Sequence, residues 1–214
     1  MILYSYWRST TSYRVRAALN LKGLAYETRA VDLVAGDQRA ASYTALNPGR
    51  GVPTLVLDPD DNGDAVLTQS LAIIDYLDTV YPEPALLPSQ PLLRSRVLAA
   101  AHCVAMDIHP VNNLRVIGHL KARHAASPED ATEWMCHWMA EGFTALEALL
   151  PERETFAFTD TPSLADLCIV AQVYNARRWG LSLDPFPKIA RVEAACRATP
   201  EIAAAAPENQ PDAP

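Results

Sequence analysis

Hydrophobic positions in the first eighty residues switch between two periods. The stretch "MILYSY" is short, apolar and aromatic and predicts a strand. Ser12 to Leu21 places Val15, Ala18 and Leu19 on one face and predicts a helix. Tyr26 to Val31 predicts a second strand, and Asp37 to Leu46 a short helix ended by Asn47-Pro48-Gly49. Pro53 to Asp58 predicts a third strand. Asp60 to Asp64 carries a hairpin turn signal, and Ala65 to Thr68 returns as a fourth strand. Ser70 to Val80 then reads as a helix, with Leu71, Ile74 and Leu77 at helical spacing. A helix joins the first two strands, so they should be parallel; the hairpin makes the last two antiparallel. Residues 1–82 therefore predict a small α/β domain built on a mixed four-stranded sheet.

A proline-rich linker, 83–91, follows. From residue 92 to 214 the pattern holds no convincing strand and predicts an all-α domain. Long helical patterns cover Leu92 to His124, Pro128 to Leu150 and Leu164 to Trp179, with a shorter one over Pro187 to Arg197. The tail "AAAAPENQPDAP" reads as a helix end followed by disorder.

Composition narrows the function classes. The formal net charge is −7, with no basic block, which argues against a nucleic-acid partner. No apolar run reaches membrane-spanning length. Arg8, Arg14 and Arg16 fall where a signal peptide needs its apolar core. The four cysteines show no Cys-x-x-Cys or zinc-like spacing, which fits a reducing, cytoplasmic setting. His102, Cys103, Asp107 and His109 do not converge at helical spacing, so no metal is expected.

Three places carry candidate chemistry. Ser9, Thr10 and Thr11 form a hydroxyl run at the start of the first helix, directly after Arg8. A positive helix N-terminus with hydroxyl donors stabilises a thiolate. Val52-Pro53 opens the third strand. An X-Pro bond there is ordinarily trans, but in a mixed sheet of this order it is the position of the cis-proline of thioredoxin-like folds. The backbone of Val52 would then pair with an extended peptide. Gln69 and Ser70 stand where a strand ends and a helix begins. Ser70 is expected as the N-cap, and the free N–H groups there suit a carboxylate. Ser163 to Asp166, "SLAD", has capping-box form and a structural role. Arg14 and Arg16, inside the helix, are expected to make structural pairs.

The segments "YSYWRSTTSYRVRAAL", "LNPGRGVPTL", "LTQSLAIIDYL" and "SLADLCIVAQVYNARR", in this order, resemble the soluble glutathione transferases, and within them the zeta class. The resemblance runs from Ile2 to about Arg197. It implies a thioredoxin-like N-terminal domain, an all-α C-terminal domain, a glutathione cofactor and a homodimer. It also implies that Gln69 and Ser70 bind the γ-glutamyl end, the backbone at Val52 and Pro53 the cysteinyl unit, and Gln38 the glycine end. The segment "IHPVNNLRV" points to His109, Asn113 and Arg115 near the ligands, with His109 standing where relatives commonly have glutamine. The zeta motif Ser-Ser-Cys-x-x-Arg-Val-Arg appears here with Thr11 at the cysteine position, so no thiol is available there.

The class includes the maleylpyruvate and maleylacetoacetate isomerases, and the expected reaction is reversible thiolate addition to a small dicarboxylate. Ser9 is the leading hydroxyl, with Thr10 and Thr11 in support. Arg8 is the first candidate to clamp a substrate carboxylate, and Arg178 and Arg177 are the others. Maleylpyruvate is the expected substrate. Maleylacetoacetate is one alternative. Conjugation or dehalogenation of small α-halo acids is another, and a non-catalytic binding protein on the same fold is a third.

Overall fold

The computed structural model describes residues 1–58 and 65–214. It divides into two compact units, Met1–Leu86 together with Ala198–Pro214, and Leu87–Arg197.

The first unit holds four strands: β1 (Ile2–Ser5), β2 (Glu27–Ala30), β3 (Thr54–Val56) and β4 (Val66–Thr68). They lie in the order β2-β1-β3-β4. β1 and β2 are parallel, with Ile2 opposite Glu27; β3 is antiparallel to both β1 and β4. The crossover between β1 and β2 is helix α1 (Thr10–Leu21). The expected turn at Asp60 to Asp64 lies outside the described residues. The expected helix over Asp37 to Leu46 is split. A 3₁₀ turn covers Asp37–Arg39, Ala40 adopts an extended conformation, and α2 spans Ala41–Leu46. Helix α3 (Ser70–Val80) follows β4. Leu3 and Leu55 from the sheet, Val15 and Leu19 from α1, and Ile73, Ile74 and Leu77 from α3 are fully buried and form this unit's core. Lys22 closes its far end. Its ammonium donates to Asp78 at 2.9 Å, to the Tyr81 carbonyl at 2.6 Å and to the Pro84 carbonyl at 3.0 Å.

The tail departs from expectation. Residues beyond Ala198 are ordered against the first unit, with α9 over Pro200–Ala204 and a 3₁₀ turn over Pro207–Asn209. Polar composition suggested disorder, but α1 supplies the partners. Arg16 Nε donates to the Ala205 carbonyl at 3.0 Å and Asn20 Nδ2 to the Glu201 carbonyl at 2.9 Å. Ile202 is fully buried.

The second unit contains α4 (Pro91–His102), α5 (Leu114–His124), α6 (Pro128–Leu149), α7 (Leu164–Arg178) and α8 (Pro187–Ala198), the last running one residue beyond the unit. The single helix expected from Leu92 to His124 is broken. α4 passes into a π-helical segment over Cys103–Ile108 and a 3₁₀ turn over Pro110–Asn112 before α5 starts. Pro110 has no N–H to continue the helical ladder, and Asn113 restarts it as an N-cap, accepting from Arg115 N–H at 3.1 Å. Gly142 lets α6 approach the π-helical segment. A Cβ there would collide with Cγ1 and Cδ1 of Ile108. The "SLAD" box forms around a fully buried Asp166, whose carboxylate accepts from Ala157 N–H (2.7 Å), Ser163 N–H (2.8 Å) and Ser163 Oγ–H (2.6 Å).

Candidate active site

The hydroxyl run sits where β1 hands over to α1. Ser9 is the N-cap of α1, in an extended conformation, and its Oγ accepts from Ser12 N–H at 3.2 Å. Thr11 Oγ1 donates to the Val52 carbonyl at 2.8 Å. Ser9 Oγ and Thr11 Oγ1 are 2.9 Å apart. Thr11 has one hydroxyl proton and Val52 takes it, so Ser9 is the donor within the pair. The chain Ser12 N–H, Ser9, Thr11, Val52 carbonyl thus joins the positive end of α1 to the loop before β3. Thr10 is the first helical residue and is buried.

That loop is pinned from below. Val52-Pro53 is cis. The Gly51 carbonyl accepts from Tyr43 Oη at 2.5 Å and from Asn47 Nδ2 at 2.9 Å, while Asn47 Oδ1 receives Gly49 N–H at 2.9 Å. Thr54 Oγ1 joins the same network through Tyr43 Oη and Asn47 Nδ2, both at 2.9 Å. Gln38 lies in the 3₁₀ turn, donates to the Leu33 carbonyl at 3.3 Å, and keeps its buried Oε1 without a partner among the described residues.

The start of α3 differs from expectation in one respect. The N-cap is Gln69, and Ser70 is the first helical residue, so Ser70 does not cap the helix. Gln69 sits at φ 69°, in a region that side-chain-bearing residues seldom occupy, and its side chain makes no capping bond. Ser70 is buried, and its Oγ accepts from Arg14 Nη1 at 3.3 Å.

Arginines divide into three kinds. Arg8 is half-buried, with its guanidinium 5.1 Å from the centre of the Trp7 ring, and makes no ion pair among the described residues. Trp7 N–H is itself held by Asp212 at 2.9 Å. Arg16 is buried and well supplied, donating to Ser5 Oγ at 2.9 Å and to the Trp7 carbonyl at 3.0 Å besides Ala205. Arg14 is buried, and its Nε and Nη2 have no acceptor among the described residues, so the structural pair expected for it is not formed. The signal in the sequence was a cation two residues from a second one on a helix whose middle is otherwise core.

The remaining candidates belong to the second unit. His109 Nε2 lies 3.5 Å from Asn113 Nδ2, so the residue before Pro110 and the cap of α5 form one cluster. Arg115 is exposed on the first turn of α5. Arg177 pairs with Glu193 at 3.0 Å, and Arg197 shares that carboxylate at 3.4 Å. Arg178 lies over the Trp179 ring at 4.7 Å. Three of the chain's own thiols are not primed. Burial pushes Cys103, Cys136 and Cys196 above the ordinary thiol range, Cys196 well above it, with nearby carboxylates adding to the effect.

Residues 8–80 match the family model for the glutathione S-transferase N-terminal domain. A probable maleylacetoacetate isomerase of Vibrio cholerae is 45% identical over 218 residues, covering 100% of this chain and 98% of its own. A maleylpyruvate isomerase of a Ralstonia species is 46% identical, covering 99% of each chain. The chain belongs to the glutathione transferase family. Solved structures place it in the zeta class. The holo structure of a maleylpyruvate isomerase, a bacterial zeta-class glutathione S-transferase, is 45% identical over the whole of both chains, with a TM-score of 0.95. A maleylacetoacetate isomerase from Anaeromyxobacter dehalogenans with glutathione bound in its active site is 44% identical, covering 100% of this chain and 97% of its own, with a TM-score of 0.90. The residues present fit such a tripeptide: a capped helix start with hydroxyls, a half-buried Val52 before a cis-proline, and a second helix start backed by a buried cation.

Proposed function

We propose that this protein is a glutathione-dependent cis–trans isomerase converting maleylpyruvate to fumarylpyruvate. The observation that carries the reading is the Ser9 hydroxyl, held at the positive end of α1 with its oxygen fixed by Ser12 N–H and its proton free to turn from Thr11 to a ligand. Bound glutathione would supply a thiolate that adds reversibly to the conjugated double bond of the substrate and leaves after that bond has rotated. Ser9 would donate to the sulfur, and each unit by which this lowers the thiol pKa from about 8.5 is worth about 1.4 kcal/mol. Thr11 holds no sulfur, so this chain contributes no thiol of its own at that position. Gln69 and Ser70 would take the γ-glutamyl end, the Val52 backbone the cysteinyl unit, and Gln38 the glycine end. Arg8, half-buried beside Trp7 and without a carboxylate partner among the described residues, would receive a substrate carboxylate.

Names of the relatives support the reaction class and include both substrates, so maleylacetoacetate is the comparison substrate. A homodimer is the proposed assembly, supported by family habit and checked by light scattering. The cytoplasm is the proposed compartment, supported by four free cysteines. No helix among the described residues is long and apolar enough to cross a membrane. The deciding experiment follows maleylpyruvate by ultraviolet absorbance with glutathione far below substrate concentration. Many turnovers per glutathione are expected. Stoichiometric loss of glutathione, or turnover of α-halo acids alone, would overturn the reading.

A further inference from the structure

Arg14 and Arg16 leave the same helix two residues apart, and both are buried, at 1% and 0% exposure. Their surroundings differ. Arg16 finds acceptors in the Ser5 hydroxyl and the Trp7 and Ala205 carbonyls. Arg14 donates once, to Ser70 Oγ, and its Nε and Nη2 reach no acceptor among the described residues. It makes no ion pair there either. A buried guanidinium so poorly compensated is costly, and an anion brought within its reach would offset that cost.

The group that Arg14 touches is the first residue of an 11-residue helix. Ile73 N–H is the first amide of α3 with an intrahelical acceptor, the Gln69 carbonyl. The Gln69 side chain makes no capping bond, so the amides of Ser70 and Leu71 have no intrahelical partner. Because Arg14 occupies a lone pair of Ser70 Oγ as donor, the Ser70 proton points elsewhere. Helix start, hydroxyl proton and buried cation all favour negative charge at one place.

We propose that Arg14 is the charged positioning residue of a carboxylate subsite at the α3 N-terminus, acting through Ser70 on the α-carboxylate of the γ-glutamyl group. The proposal rests on the glutathione reading above. The charge is built into the protein before the ligand arrives, and ligand binding relieves it. Arg14 should therefore serve affinity at the expense of stability in the ligand-free protein.

The test measures calorimetric affinity of the full-length protein for two peptides, glutathione and γ-aminobutyryl-cysteinyl-glycine, which lacks only the α-carboxylate. Arg14→Met should weaken glutathione binding by about tenfold or more and leave the decarboxylated peptide within about twofold. Without ligand its thermal midpoint should match or exceed that of the natural protein. Arg14→Lys, which keeps the charge, should retain most of the preference for glutathione over its analogue. Equal loss of both peptides in Arg14→Met, unchanged glutathione affinity, or loss of the preference in Arg14→Lys overturns the proposal. Should Arg14→Met not fold, the Lys variant decides. If the natural protein binds neither peptide, the glutathione reading itself fails, a result distinct from any of these.

Discussion

Asp166 gives the most quantitative prediction. Its carboxyl is fully buried, and desolvation pushes its pKa from 3.8 up to about 6, although three hydrogen bonds from Ser163 and Ala157 pull the other way. A raised native pKa means that the folded chain binds more protons than the unfolded one between those two values. Stability contributed by this group is thus fully present below about pH 4 and is lost as pH rises through about 6. A shift of about 2 units at about 1.4 kcal/mol each makes the loss about 3 kcal/mol. Asp166→Asn removes the titration. It also presents an amide to Ser163 N–H, a pH-independent cost of about 1–3 kcal/mol for an unpaired buried donor. Urea unfolding of both proteins at pH 4, 5, 6 and 7 separates the two effects. The advantage of the natural protein over Asp166→Asn should shrink by about 2–2.5 kcal/mol between pH 4 and 7, at about 1 kcal/mol per pH unit from pH 4 to 6 and little beyond. A difference that stays flat, or that grows with pH, would refute the argument, because it would mean that the hydrogen bonds outweigh burial.

Ser9→Ala should raise the pKa of enzyme-bound glutathione by about 1–2 units, read from thiolate absorbance against pH, while Ser9→Thr keeps the donor and most of the effect. Arg8→Ala should raise KM for the dicarboxylate by about tenfold with little change in glutathione affinity, as steady-state kinetics would report; an unchanged KM removes Arg8 as the clamp. Gly142→Ala should destabilise by about 1–3 kcal/mol in urea, since its methyl group meets the Ile108 side chain. Lys22→Ala should cost about 1–3 kcal/mol, because it removes the ammonium bonds to Asp78 and to the Tyr81 and Pro84 carbonyls while Leu86 N–H still holds Asp78, and thermal unfolding checks it.

Much of the fold was legible because its signals are local. Strand alternation, the βαβ crossover and the apolar spacing of α3 each depend on a handful of neighbouring residues, and the sheet order follows from the connections. The break at Pro110 was local too, but apolar periodicity on either side of it masked a proline that removes a helical donor. Residue type alone makes Ser70 look like a cap; the positive φ of Gln69, which decides the helix start, has no sequence signature in a glutamine. Nor could spacing show the bond from Thr11 to the Val52 carbonyl, which spans 41 residues. Motif and family resemblance located the hydroxyl run, whereas the burial of Arg14 required the packed core to be known.

The ordered tail bears on how the protein is made. Leu87–Arg197 is one unbroken stretch, but the other unit is assembled from both ends of the chain. During synthesis the β1–α1 segment is made long before residues 198–214. Until those residues arrive, Arg16 lacks the Ala205 carbonyl, 189 residues downstream. The unit that is begun first therefore cannot be finished before the whole helical unit has been made. A substitution that loosens residues 198–214 would injure the unit that carries Ser9, far from it in the chain but packed into the same fold.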